Sequence, residues 1–229
     1  GEVSPWLIAS GLNSNRLDTI FGIKVCQTKW SELPSFKDKT SGKSFHNLFT
    51  DQTDSKKIND SGKIYELIKE TAKLNQADAV SVECFSLVNE HKATACLALA
   101  KLNNDKFPAA CEGDIPSTVG LLLAQELTGQ TAWMANLASI TDKEVLFAHC
   151  TIAPSLIKNM SLPTHFETDE GLAVQGDFIE KDITVFRFNE NYSKIFISEG
   201  KVFNAPNYEH ACRTQIEAKL PENAVKQLK

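Results

Sequence analysis

The sequence predicts an α/β protein in two parts: a parallel sheet covered by helices, then a mostly antiparallel, barrel-like β region. Two observations carry this expectation. In the first half, apolar strand-like runs alternate with stretches of helical spacing, and such alternation implies crossover connections and a parallel sheet. After Gly129 helical periodicity disappears, and short strand-like runs follow one another between polar or glycine-containing turns. The boundary falls near Gly129, which gives an α/β domain over residues 1–130 and a β-rich domain over residues 131–229.

Along the first part, "VSPWLIAS" (residues 3–10) and "FGIKVCQ" (21–27) read as buried strands. A Lys/Asp/Ser-rich stretch over residues 35–57 reads as a surface excursion. Asp60 and Ser61 offer an N-cap to a helix that lines up Ile64, Leu67, Ile68 and Ala72 on one face. "ADAVSVECF" is a strand and "NEHKATACLALAKLNND" a helix. "FPAACE" is a strand again, and a helix begins at Asp114. In the second part, "TAWMANLASI", "EVLFAHCTI", "LAVQGDF", "ITVFRFN", "KIFISEGKVF" and "CRTQIEAKL" are the expected strands, and a helix returns only at the end of the sequence.

A chain of 229 residues has ample material for a core, and 42% apolar with 23% charged residues is ordinary globular composition. A net charge of −5 argues against nucleic acid or an anionic membrane as partner. No apolar run is long enough to span a bilayer and no signal peptide is evident, so the expected location is cytoplasmic. Cys26, Cys84, Cys96, Cys111, Cys150 and Cys212 form no C-x-x-C pair and read as buried, reduced thiols.

Chemistry concentrates in "AACEGDIPST", where Glu112 and Asp114 stand between a buried strand and a buried helix. Ligands of parallel α/β sheets bind beyond the carboxyl ends of strands, where helix N-termini converge. Asp114 suits the helix N-cap. Glu112, at the strand end, would be held ionised by the helix N–H groups, which suits metal binding. His149, at the end of "EVLFAH", would add imidazole to that carboxylate, a pair fit for a divalent metal such as manganese. His165 and Glu167 in "LPTHFETDEG" are further polar residues in apolar surroundings. Trp6, Trp30 and Trp133 read as core or interface aromatics, and Arg213 and Gln215 as outward-facing strand residues. His46, His91 and His210 carry no expected role.

"AACEGD", "TGQTAWMAN", "FAHCTIAPS", "HFETDEGLAVQG" and "CRTQIE", in this order, resemble the L-fucose isomerase and L-arabinose isomerase superfamily, particularly its fucose-isomerase-like branch. "GEVSPWLIAS" with "FGIKVCQTKWSEL" resembles the opening of that family's middle domain. The resemblance implies a Rossmann-like domain followed by a β-rich C-terminal domain. It also implies homo-oligomers, trimeric or hexameric, that act on small sugars. Such enzymes interconvert aldoses and ketoses through a cis-enediol. A divalent cation, usually Mn2+, grips neighbouring sugar oxygens while carboxylates carry a proton between C1 and C2.

By resemblance Glu112 matches the first metal-binding carboxylate and His149 a histidine ligand. The second carboxylate falls at or beside Asn136, whose amide can ligate but cannot take a proton. Ser4, Trp6 and Asp114 are the expected substrate contacts. The resemblance further sets a substrate domain ahead of Gly1 and a histidine beyond Lys229, which implies a piece of a longer protein. The alternative expectation is a non-catalytic carbohydrate-binding or regulatory relative with the same fold.

Overall fold

The computed structural model describes Gly1 and residues 14–50, 54–189 and 191–228. The expected strand over residues 3–10, with Ser4 and Trp6, lies outside them. The first part contains α1 (Ser14–Phe21), α2 (Lys43–Leu48), α3 (Ser55–Leu74), β1 (Val80–Ser81), α4 (Phe85–His91), α5 (Cys96–Asn104), β2 (Ala109–Ala110) and α6 (Ile115–Thr128). The second contains β3 (Asn136–Ile140), β4 (Glu144–His149), β5 (Ile157–Ser161), β6 (Gln175–Phe178), β7 (Asp182–Phe188), β8 (Ile195–Asn204), β9 (Thr214–Lys219) and α7 (Glu222–Leu228).

The expected parallel sheet is much reduced. Among the described residues it consists of β1 and β2 alone, paired Val80 to Ala109 and Ser81 to Ala110. "FGIKVCQ" forms no strand. Ile23 and Val25 instead lay alternate side chains against Leu17, Val119 and Tyr192, so the segment packs without a ladder. Two helix limits also move. Asp54, whose carboxylate accepts from Lys57 N at 3.0 Å, caps α3, and Asp60 and Ser61 lie inside that helix. The long helix expected over residues 89–105 is broken at Lys92, which takes φ 55° and closes α4 before α5 begins.

The β-rich part follows the alternation more closely. An antiparallel sheet in the order β3-β4-β9-β8-β7 curls into a half-barrel around Val145, Phe147, Val202, Ile216 and Ala218. α7 closes this core with Ala224 and Val225. β5, unforeseen in the sequence, pairs with β6 in a separate antiparallel ribbon.

A larger core gathers Phe45, Ile64, Leu67, Leu97 and Leu99 from the helices and Ile152, Ile157, Leu172 and Val174 from beyond β4. Trp133 and Phe178 touch both cores, and their rings stack at a tilt with centroids 5.2 Å apart. This aromatic pair joins the two cores.

The cysteines are all free. Cys84, Cys96, Cys111 and Cys150 are buried, Cys212 is half-buried and Cys26 is exposed. Among the described residues no helix is long and apolar enough to cross a membrane.

Candidate active site

β2 ends in Cys111, and the next residues turn sharply into α6. Glu112 and Gly113 both take left-handed backbone, with φ 63° and 66°. Left-handed backbone at a glutamate is strained, and such positions persist where surrounding bonds over-determine them. Here Gly113 N donates to Val82 O at 3.1 Å and Asp114 N to Cys111 O at 3.0 Å.

Asp114 is 4% exposed and fully engaged. Its Oδ1 accepts from Ser117 N at 2.7 Å, which makes it the N-cap of α6. Its Oδ2 accepts from Ser117 Oγ at 2.9 Å and from Arg187 Nη1 at 3.0 Å, so the cap also ties α6 to β7.

The turn aims Glu112 away from the helix and toward β4. His149, the last residue of β4, is buried at 2% exposure. Its Nδ1 contacts Thr151 Oγ1 at 2.9 Å, which orients the ring. Its Nε2 has no hydrogen-bond partner and lies 3.6 Å from Glu112 Oε1, longer than a hydrogen bond. Asn136 Nδ2 reaches the same oxygen at 3.4 Å. Three sequence-selected residues, Glu112, Asn136 and His149, therefore meet at one point.

The electrostatics follow from this meeting. The His149 imidazole first, then the Asn136 amide, hold the Glu112 carboxyl below its ordinary 4.5, against the opposing effect of burial. The direction is the one expected from the sequence, but its source is the imidazole, because the helix N–H groups serve Asp114 instead.

A second histidine stands near. His165 sits in a turn closed by Asp169 N donating to His165 O at 3.0 Å and His165 N donating to Glu170 O at 3.2 Å. Arg213 Nε donates to Thr164 O at 2.8 Å and fixes the turn to the start of β9, where Thr214 is the register partner of His149. Burial first, and the His149 charge after it, lower the pKa of the His165 ring against the raising effect of Glu167, and charge on His165 helps to lower that of Glu112. The sequence signal was a polar residue within an apolar run. Gln215, read as outward-facing, is 2% exposed, because its amide serves Tyr208 and Cys212 carbonyls and the Tyr208 N–H.

A buried imidazole nitrogen without a partner, facing a carboxylate, is an unfavourable arrangement unless something is shared between them. A divalent cation fits that requirement, with Glu112 Oε1 and His149 Nε2 as donors and the Asn136 amide oxygen available on rotation. Among the described residues no group of three or more His, Cys, Asp or Glu is arranged around a metal, so substrate or water oxygens would complete the sphere. Surface clefts of about 530 and 290 Å3 lie elsewhere, along β7 to β9 and between β6 and the loop before β9. The site is thus marked by converging side chains, not by those clefts.

The comparisons with known proteins find sugar isomerases at low identity. Sulfoquinovose isomerases of Priestia aryabhattai and Priestia megaterium (strain ATCC 12872 / QMB1551) are each 24% identical over 168 residues, covering 69% of this chain and 37% of the relative. Each is a weak, distant similarity to a protein named as a sugar isomerase. A sulfoquinovose isomerase of Alkalicoccus urumqiensis is 21% identical over 246 aligned positions, covering 99% of this chain and 55% of the relative. The chain thus spans about half or less of the length of these curated relatives. No family model matches it.

Proposed function

We propose that this chain forms the metal- and proton-handling part of an aldose–ketose sugar isomerase. The observation that carries the reading is the unpartnered His149 Nε2 set 3.6 Å from Glu112 Oε1 at the carboxyl end of β2. The distant sugar-isomerase relatives supply the reaction class.

In this reading Glu112 and His149 hold a divalent cation, Mn2+ by the sequence resemblance, which supplies polarisation of the sugar carbonyl when bound. Glu112 also moves the carbon-bound proton, because among the described residues it is the one carboxylate at the meeting point. Its lowered pKa keeps it at neutral pH in the ionised form, the only form that can accept a proton. His149 orients Glu112 and keeps it charged, and Asn136 holds the same oxygen from the other side. Burial of the imidazole excludes water from one flank.

A second reading, a carbohydrate-binding relative without turnover, draws on Asn136, whose amide cannot take a proton. The two separate in one assay. The complete gene product is incubated with a panel of aldoses, with Mn2+ and then after exhaustive chelation. Ketose formed only with Mn2+, and lost in Glu112→Gln, supports the isomerase. Sugar binding without ketose supports the second reading, and undiminished turnover after chelation overturns the metal role.

A further inference from the structure

Aldose–ketose exchange moves two protons, not one. The hydrogen on C2 must reach C1, and the proton on O2 must reach O1. Glu112 accounts for the carbon-bound proton and leaves the oxygen-bound proton without a carrier. His149 is a poor candidate, because its Nδ1 is engaged with Thr151 and its Nε2 faces Glu112.

We propose that His165 is the group that carries the proton between the two sugar oxygens, an inference that rests on the isomerase reading. Three features of the fold support it. Phe166, its neighbour in sequence, packs against Cys150 and Ala173, which sets the turn beside the residue that follows His149. Val174 N donates to Cys150 O at 3.0 Å, and Thr214 Oγ1 donates to Val174 O at 2.9 Å, so the segment after the turn is bonded to both β-strand ends. His165 Nδ1 contacts Thr168 Oγ1 at 3.1 Å and orients the ring, while Nε2 has no hydrogen bond among the described residues. One anchored nitrogen and one free nitrogen are what a reversible proton carrier needs.

The step balances without any outside oxidant. Glu112 carboxylate takes the C2 proton, the C2–H pair becomes the C1–C2 double bond, and the C1 carbonyl pair moves onto O1. His165 Nε2 takes the O2 proton as the C2 carbonyl forms. The C1–C2 double-bond pair then takes the proton from Glu112 onto C1, and O1 receives its proton from His165. C1 is reduced and C2 oxidised within one molecule.

The roles of Glu112 and His165 separate in heavy water. Exchange of a ketose C1 proton with solvent needs Glu112, whereas net conversion also needs the oxygen proton to move. The experiment compares complete wild-type protein with His165→Gln, loaded with Mn2+, in D2O. It measures ketose–aldose conversion and deuterium entry into recovered ketose. Mn2+ affinity by electron paramagnetic resonance and melting temperature accompany both, and imidazole is added back to His165→Ala.

The proposal expects His165→Gln to lose about 10²-fold or more in conversion, with exchange reduced less than about tenfold. Mn2+ affinity and melting temperature should stay the same, and imidazole should restore conversion in His165→Ala. Equal loss of exchange and conversion, or conversion within about threefold of wild type, overturns the role of His165 while leaving the isomerase reading intact. A wild type that shows neither conversion nor exchange on any sugar overturns that reading and this proposal with it.

Discussion

His149 Nε2 and Glu112 Oε1 face each other at 3.6 Å, across the junction between the end of β4 and the turn that leads into α6. Each residue is held by other bonds, His149 through Thr151 and Glu112 through the backbone of its left-handed turn. The contact therefore reflects where the fold puts two strand ends rather than two flexible side chains finding each other. A site built this way is preorganised, and its energetics should show in pH, stability and substitution experiments.

Acid should weaken the protein partly through Glu112. Its folded-state pKa is below the unfolded value, so its ionic contribution is complete above about 4.5 and is lost as pH falls through the lowered native value. Glu112→Gln should accordingly cost stability at pH 7 and almost none near pH 2. Urea unfolding of both proteins without metal, from pH 7 to pH 2, measures this. A difference that stays constant across the range would contradict it.

Asp114→Ala should destabilise the fold by about 1–2 kcal/mol, since it removes the α6 cap and strands Ser117 N. Arg187→Ala should cost less than about 1 kcal/mol, because the guanidinium side chain is 45% exposed. The double variant should fall short of the sum, as both remove one shared contact. Denaturant midpoints of the three variants decide this, and full additivity would count against the tie between α6 and β7.

Much of this arrangement was legible in the sequence. Asp114 ahead of an apolar helical stretch announces its cap, and the apolar run in "EVLFAH" places His149 at a strand end. The length of the parallel sheet was not legible, because Ile23 and Val25 alternate like strand residues yet pack without a hydrogen-bonded neighbour. The start of α3 at Asp54 was hidden in a polar stretch that resembles a loop, since helix caps and surface turns use the same residues. The roles of Gln215 and His165 are hidden from the sequence for a shared reason. A polar side chain's surroundings are set by backbone groups distant in sequence, here the Tyr208 and Cys212 carbonyls and the Thr164 to Glu170 turn.

Gly171→Ala should be among the more damaging small substitutions. Gly171 has φ 56°, and an added Cβ would lie 2.8 Å from Thr94 N and 2.4 Å from Thr94 Oγ1. Thr94 Oγ1 also bonds Leu172 at both N and O, so it has little freedom to withdraw. A loss of about 1–3 kcal/mol is expected from strain and displacement together. Thermal unfolding measures it, and an unchanged melting temperature would show that the 170–172 segment adapts.

The central claim is that Glu112 carries a proton between two sugar carbons, and isotope tracing tests it most directly. An aldose that is a substrate of the complete gene product is prepared with deuterium at C2 and converted in ordinary water with Mn2+. A carboxylate carrier exchanges its proton with solvent, so the account predicts ketose that has lost part or all of its deuterium at C1, with Glu112→Gln forming no ketose. Complete retention of deuterium at C1, or wild-type turnover in Glu112→Gln, would contradict it.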